Sequence, residues 1–185
     1  MSATPSTMLA LGTKLPEFSL VNAATGDLVS ASDIKIQNGV LVLFICNHCP
    51  FVINIRKELV KVANEALSAG VAVIAINSNS IESHPQDGPT HMKELAVSEG
   101  WRFPFLFDDT QQVAKAFTAA CTPDIFLFDA NQGLVYRGQF DDSRPSNGKP
   151  VTGADLRAAI AAVVAKKSVS QDQKPSIGCN IKWKS

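Results

Sequence analysis

A buried strand, an amphipathic helix and a second buried strand follow one another directly, and this run constrains the fold most. Gly39–Ile45 is a continuous apolar segment rich in β-branched residues, which is typical of a strand buried on both faces. From Phe51 to Leu67 apolar residues recur every three or four positions, which predicts an amphipathic helix that Gly70 terminates. Val71–Ile76 predicts a second buried strand. Together they form a right-handed βαβ unit, so the sequence predicts an α/β fold.

The segments after this unit predict an insertion, a hairpin and a final helix. The polar stretch Asn77–Thr90 predicts a loop. The later elements are a helix over His91–Glu99, a strand over Phe103–Phe107, a helix over Thr110–Ala119, hairpin strands over Ile125–Phe128 and Leu134–Arg137, and a helix with Thr152 as its N-cap. We expect a central mixed β-sheet flanked by helices, with an N-terminal β extension and a helical and loop insertion.

Length and charge limit the domain count and the partners. A chain of 185 residues, 45% of them hydrophobic, is suited to one domain over residues 1–185, with a core of about 12–166 and a tail over 167–185. Lys plus Arg and Asp plus Glu both number 17, so we expect no nucleic acid and no membrane as partner. Because no secretion signal or membrane-spanning run is recognisable, we expect a cytoplasmic protein.

The Cys46-Asn47-His48-Cys49 motif lies between the first buried strand and the amphipathic helix. Two structural alternatives exist for such a pair: half of a zinc site, or two buried cysteines without chemistry. A zinc site needs two further ligands, and the sequence holds no second Cys-x-x-Cys. A pair at a strand-to-helix junction favours redox chemistry, so we predict a redox-active disulfide with no metal and no cofactor.

Thiol-disulfide exchange explains why the two cysteines stand at this position. A helix N-terminus offers unpaired N–H groups that stabilise a thiolate, which is the attacking species. We expect Cys46 to attack a substrate disulfide and Cys49 to resolve the mixed disulfide. His48, when protonated, adds positive charge beside the thiolate and so tunes its pKa downward. A stabilised thiolate makes the pair relatively oxidising.

The chain resembles the thioredoxin-like superfamily, in the redoxin branch that includes alkyl-hydroperoxide-reductase/thiol-specific-antioxidant proteins. The resemblance covers roughly residues 12–165 and rests on three segments, Gly12–Leu20, Phe44–Cys49 and Thr122–Asp129. The motif followed by Pro50-Phe51, together with the tail Gly178-Cys179-Asn180-Ile181-Lys182-Trp183, is similar to a group of largely uncharacterised bacterial proteins of this branch.

The resemblance implies a substrate-binding edge at Thr122 and Pro123. It implies that Pro123 is a cis-proline facing the motif, and that the Thr122 backbone pairs with a substrate chain. The sequence departs from the thioredoxin pattern six residues before Cys46, where Val40 replaces a buried acid. Proton transfer at Cys49 then has to use water, His48 or another group.

Three functions are compatible with these residues. Thiol-disulfide oxidoreductase is favoured, with protein or small-molecule disulfides and thiols as substrates and a reductase or thiol as electron donor. A peroxiredoxin-like antioxidant peroxidase is the alternative, because Cys49-Pro50 resembles that family's Cys-Pro, although Cys46 stands where the family has threonine. The third is a binding module without catalysis. The sequence does not indicate the oligomeric state.

Two further cysteines, Cys121 and Cys179, are candidates for extra redox thiols. Cys121 directly precedes Thr122-Pro123, but a small buried thiol is an equally good interpretation. Cys179 lies in the apolar end of the tail, beside Gly178, which permits a close backbone approach. We expect this tail to dock near the motif through Ile181 and Trp183.

Overall fold

The computed structural model describes residues 3–185 as four α-helices and ten β-strands. The strands are β1 (Ala3–Pro5), β2 (Ser19–Asn22), β3 (Leu28–Ser30), β4 (Gly39–Phe44), β5 (Val71–Asn77), β6 (Phe105–Phe107), β7 (Cys121–Thr122), β8 (Asp124–Asp129), β9 (Leu134–Arg137) and β10 (Ile177–Asn180). The helices are α1 (Pro50–Ser68), α2 (Pro89–Ser98), α3 (Gln112–Ala116) and α4 (Ala154–Val164).

The central sheet has seven strands in the order β3-β2-β6-β5-β4-β8-β9. Strand β4 pairs in parallel with β5 and antiparallel with β8, and β5 pairs in parallel with β6. The predicted α/β fold with a central mixed sheet and flanking helices is therefore confirmed. No helix among residues 3–185 combines the length and the apolar character needed to cross a bilayer.

Strand β4 separates two layers of core, and all six of its residues are buried. Leu41 and Leu43 pack on the face that carries α1 and α4. Val40 and Phe44 pack on the opposite face, with Phe117 just beyond α3. The continuous apolar run in the sequence reflects this position, because a strand covered on both faces has no exposed side on which to place polar residues.

The elements near the insertion differ in their bounds from those that the sequence pattern predicts. Helix α3 covers Gln112–Ala116, because Gln111 (φ 63°) and Thr118 (φ 51°) adopt left-handed backbone at its two ends. Strand β6 begins at Phe105 and not at Phe103. The predicted loop contains a short helical turn, Pro85–Asp87, and α2 starts two residues earlier than expected.

The predicted N-cap of the last helix is wrong. Gly153, with φ 67°, caps α4 in place of Thr152. The carboxylate of Asp141 accepts hydrogen bonds from the backbone N–H groups of both residues, at 2.7 Å each. This side chain from a preceding loop therefore sets the backbone at the start of the helix.

Strands from the two chain ends form a second sheet with β7, which agrees with the N-terminal β extension expected from the sequence. Strand β10 lies between β1 and β7, antiparallel to both. Beyond β10, Ile181 is buried and its N–H bonds to the carbonyl of Ala120 at 3.1 Å. Docking of the tail is thus confirmed for Ile181, whereas the Trp183 side chain is 42% exposed.

Replacing Gly178 by alanine tests how tightly the tail docks. A Cβ at Gly178 would lie 1.9 Å from the carbonyl oxygen of Thr122, so β10 has to separate from β7. We expect a loss of about 1–3 kcal/mol in the free energy of unfolding, the usual cost of overpacking. Urea unfolding measures the loss, and hydrogen exchange of residues 176–182 locates it.

Gly133→Ala is the matched control, because the nearest atom to its added Cβ would be 3.7 Å away, an ordinary contact. Equal stability of the two variants would contradict tight docking of the tail at Gly178.

Candidate functional site

The motif forms the turn between β4 and α1, at the end of the most buried strand. Cys49 is the N-cap residue of α1, and Pro50 occupies the first helical position, where the missing N–H has no consequence. The Cys46 and Cys49 side chains are both almost inaccessible to solvent. The predicted position of the cysteine pair, between a strand and a helix, is therefore confirmed.

The cis-proline predicted from the resemblance faces this pair. The Thr122–Pro123 peptide bond is cis. The Thr122 hydroxyl oxygen lies 3.6 Å from Cys46 Sγ, and Cys49 Sγ lies 3.1 Å from the Thr122 carbonyl oxygen. Both sulfur atoms of the motif thus contact the residue that precedes the cis-proline.

The tail places a third sulfur against the motif. Cys49 Sγ lies 2.8 Å from Cys179 Sγ, so the expected docking of the tail near the motif is confirmed. Cys121 is equally buried, but its thiol contacts the carbonyl of Pro123 at 3.5 Å. Burial raises the pKa of Cys121 far above its usual range, which is typical of an inert thiol.

The two motif thiols have pKa shifts in opposite directions, whereas the sequence analysis expects the stabilised thiolate at Cys46. The hydrogen bond from the Cys46 thiol lowers the pKa of Cys49 to about 4, with further contributions from Cys179, Thr122 and the N–H of Val52. The pKa of Cys46 is raised, because Cys46 keeps the proton that it shares with Cys49. Its burial and the nearby charge of Asp87 raise the pKa of Cys46 further.

His48 is held by a carboxylate that the sequence analysis did not single out. His48 Nδ1 lies 2.6 Å from Oδ2 of the fully buried Asp87 and 3.9 Å from Cys46 Sγ. Asp87 also accepts hydrogen bonds from the Asn47 N–H and the Asn79 side chain, at 2.9 Å each. The negative charge near Cys46 therefore comes from the predicted loop, and it opposes the effect expected of His48.

The position of Asp87 follows from the sheet order. Because β4 and β5 are parallel neighbours, the residues that follow each strand meet at the same sheet edge. The polar segment Asn77-Ser78-Asn79, which begins at the last residue of β5, is buried there, and the Asn77 side chain donates to the Asp87 carbonyl at 2.7 Å. In the sequence, the polar segment that follows the buried parallel strand was the signal that could have pointed to Asp87.

Three groups at the motif can hold a metal ion. Cys46 Sγ, His48 Nδ1 and a carboxylate oxygen of Asp87 all lie within 4.8 Å of one another. Thiolate, imidazole and carboxylate are all zinc ligands, at about 2.0–2.3 Å from the ion. His48 and Asp87 also contact each other directly, so these two side chains are already paired. The absence of a metal from this site stays a prediction.

Thr122 has a backbone partner of its own. Strand β10 pairs with β7 in a register that sets Cys179 opposite Thr122. The resemblance assigns the Thr122 backbone to a substrate chain, and in this structure the tail occupies that edge.

A buried acid lies next to the cis-proline, although Val40 stands at the usual position of one. Val40 packs on the sheet face opposite the motif. Asp124, directly after Pro123, is fully buried and accepts a hydrogen bond from the Ala120 N–H at 3.0 Å. Burial raises the pKa of Asp124 to about 6.

Comparison with known proteins places the fold. The model of the AhpC/TSA family matches residues 11–137. No curated protein sequence matches this chain significantly. A crystal structure of an uncharacterized conserved protein from Geobacillus kaustophilus is 50% identical with a TM-score of 0.97, covering 100% of this chain and 97% of that chain. A hypothetical protein from Sinorhizobium meliloti is 49% identical with a TM-score of 0.95, covering 98% and 99%.

A more distant structure identifies the fold type. A thioredoxin-family thiol:disulfide interchange protein from Chlorobium tepidum is 19% identical, with a TM-score of 0.63 over 84% of this chain and 98% of that chain. At this identity the likeness concerns the fold alone, and it confirms the predicted thioredoxin-like fold.

The charge of Asp87 sets the acidity of Cys46. We expect Asp87→Asn to lower the pKa of Cys46, because it removes a nearby negative charge. The measurement uses a Cys49→Ser background, in which Cys46 is the only cysteine of the tryptic peptide 36–56, and follows its alkylation against pH by mass spectrometry.

Glu94→Gln, which removes an exposed carboxylate beside His91, is the control and leaves the alkylation midpoint unchanged. A midpoint that stays fixed or rises in Asp87→Asn would refute the electrostatic assignment.

Asp124 makes stability dependent on pH. Because its folded pKa lies above that of an unfolded aspartate, its stabilising contribution is complete below about pH 4 and is lost as pH rises through about 6. Relative to Asp124→Asn, the wild type should lose about 3 kcal/mol over this range. Urea unfolding at a series of pH values measures the difference, and a difference that does not vary with pH would contradict it.

Proposed function

This chain belongs to the AhpC/TSA family, and we propose that it is a thiol-disulfide oxidoreductase that acts through Cys46 and Cys49. One observation carries the proposal: both sulfur atoms lie against Thr122, the residue before the cis-proline, at the N-terminus of α1. The thiolate and its proton-carrying partner are adjacent there, which is the arrangement that disulfide exchange requires.

The acidity of the two thiols assigns their order of action. The Cys49 thiolate attacks one sulfur of a substrate disulfide, a Cys49–substrate bond forms, and the other substrate sulfur leaves as a thiolate. Cys46 gives up its proton to this leaving thiolate and attacks Cys49 Sγ. A Cys46–Cys49 disulfide then forms, the Cys49–substrate bond breaks, and the second substrate sulfur leaves as a thiolate that takes up a proton from water. This order reverses the one expected from sequence, because the lowered pKa belongs to Cys49.

The partners follow from this chemistry. Two electrons pass from the dithiol to the substrate disulfide, so a thiol or a reductase has to reduce the Cys46–Cys49 disulfide before the next cycle. We place the protein in the cytoplasm, where thiol donors keep such pairs reduced.

Reduction of disulfides with dithiothreitol as donor tests the proposal. With insulin and oxidised glutathione as substrates, Cys49→Ser should lower the rate on the order of 10³-fold or more, because no other thiolate is available at the site. Cys121→Ala controls for the loss of a buried thiol and should keep the wild-type rate. A wild-type protein that accelerates neither reaction would refute the oxidoreductase.

A thiol peroxidase is the second candidate, and the acidity of Cys49 favours it. A thiolate that directly precedes Pro50 at a helix N-terminus can attack a peroxide, giving a sulfenic acid that a second thiol converts to a disulfide. Arg56 donates to the Asn47 carbonyl and to Glu99, so these contacts engage its guanidinium away from the two sulfur atoms. Peroxide consumption that requires Cys49, together with no acceleration of disulfide reduction, would establish the peroxidase instead.

A further inference from the structure

The C-terminal tail is held along the edge of the site by contacts at several positions. The Ser176 hydroxyl donates to the carbonyl of Pro123 at 2.6 Å, and β10 pairs with both β1 and β7. Beyond β10, the Lys182 N–H donates to the Asn79 side chain at 2.9 Å. The Gln111 side chain donates to the Lys182 carbonyl at 2.8 Å. Cys179 is therefore fixed in place by strand pairing before it and loop contacts after it.

The position of Cys179 brings its sulfur nearly to bonding distance from Cys49. The 2.8 Å between the two Sγ atoms exceeds the length of a disulfide bond, about 2.0 Å, by less than 1 Å. The Thr122 carbonyl oxygen lies 3.1 Å from Cys49 Sγ, and Gly178, the neighbour of Cys179, approaches it without a Cβ. A bond between the sulfurs thus needs a small side-chain movement and no rearrangement of the tail.

Resting on the proposed thiol exchange, we propose that Cys179 is a third redox thiol, which competes with Cys46 to form a disulfide with Cys49. Cys49 is then the shared sulfur of two alternative bonds. One bond, to Cys46, lies within the motif. The other, to Cys179, ties the tail to the start of α1.

The exchange between the two bonds balances without an external oxidant. Starting from the Cys46–Cys49 disulfide, the Cys179 thiol loses its proton and attacks Cys49 Sγ. The Cys49–Cys179 bond forms, the Cys46–Cys49 bond breaks, and Cys46 leaves as a thiolate that takes up one proton. The number of disulfides stays at one, so the step is an isomerisation of the oxidised protein.

Burial and the neighbouring Cys49 raise the pKa of Cys179 to about 12, while Lys182 opposes this effect. The contribution of Cys49 disappears once Cys49 is in a disulfide, because the oxidised sulfur carries no charge. Oxidation of the motif therefore removes one of the causes that keep Cys179 protonated.

The two disulfides have different consequences for access to the site. With Cys49 bound to Cys46, only noncovalent contacts hold the tail, so it can leave and expose the Thr122 edge to an extended chain. With Cys49 bound to Cys179, that edge stays covered and the Cys46 thiol is released. While the tail is covalently attached, Cys49 is oxidised and cannot attack a substrate disulfide, so a thiol has to reduce the Cys49–Cys179 bond before the next cycle.

Disulfide mapping after oxidation with oxidised glutathione tests the inference. Trypsin leaves Cys46 and Cys49 in one peptide, 36–56, and Cys179 in another, 168–182, while Cys121 lies in 116–137. A Cys49–Cys179 bond joins the first two peptides, whereas a Cys46–Cys49 bond does not. We expect both species in the wild type, the joined peptides as the main product in Cys46→Ser, and complete loss of the joined species in Cys179→Ser.

The persistence of a mixed disulfide gives a second readout. In Cys46→Ser, Cys179 should displace glutathione from Cys49, whereas the double variant Cys46→Ser/Cys179→Ser should retain the Cys49–glutathione adduct. Cys121→Ala is the matched control, and its peptide pattern should equal that of the wild type.

The outcomes separate this inference from the proposed function. A stable Cys49–glutathione adduct in Cys46→Ser, with no joined peptides there or in the wild type, would overturn the role of Cys179 and leave the exchange activity of Cys46 and Cys49 standing. A wild type that forms no disulfide and no adduct at Cys49 would instead refute the proposed function.

Discussion

The burial of β4 on both faces is the constraint on which the rest of the structure depends. Its six residues pair with β5 on one side and β8 on the other, so the chain can leave the core only beyond Phe44. The motif follows at that point, where the parallel neighbour β5 also ends. This sheet order brings three further segments to the edge where Cys46 and Cys49 lie: the loop after β5 that carries Asp87, the strand before the cis-proline, and the tail.

The electrostatics of the site depend on how the motif cysteines share a proton. Cys49, at the helix N-terminus, accepts hydrogen bonds from Cys46 and from the N–H of Val52, and these outweigh the cost of its burial. The carboxylate of Asp87 acts on Cys46 in the opposite direction. A negative charge beside one thiol and a helix N-terminus beside the other separate two chemically identical side chains into a thiolate and a proton carrier.

The tail limits the access of a substrate to the exchange site. Strand β10 occupies the Thr122 edge, yet it also brings a thiol of its own within 2.8 Å of Cys49. A covering strand without Cys179 would only hinder a substrate. Because the covering strand carries Cys179, closing the site and exchanging disulfides can be parts of one cycle.

The sequence by itself determined the βαβ unit and the position of the motif, because a continuous apolar run and a helical periodicity are local patterns that burial imposes on neighbouring residues. The resemblance added the cis-proline at Pro123. Tertiary structure alone decided the short α3, the Asp141 cap of α4, the contact of His48 with Asp87 and the 2.8 Å approach of Cys179 to Cys49. The last three depend on residues that are 12, 39 and 130 positions apart in the chain. No local pattern records such contacts, since they form only when the sheet brings their segments together. Two of them, from Asp87 and Cys179, then act on the pKa values of Cys46 and Cys49, beside the hydrogen bond within the motif.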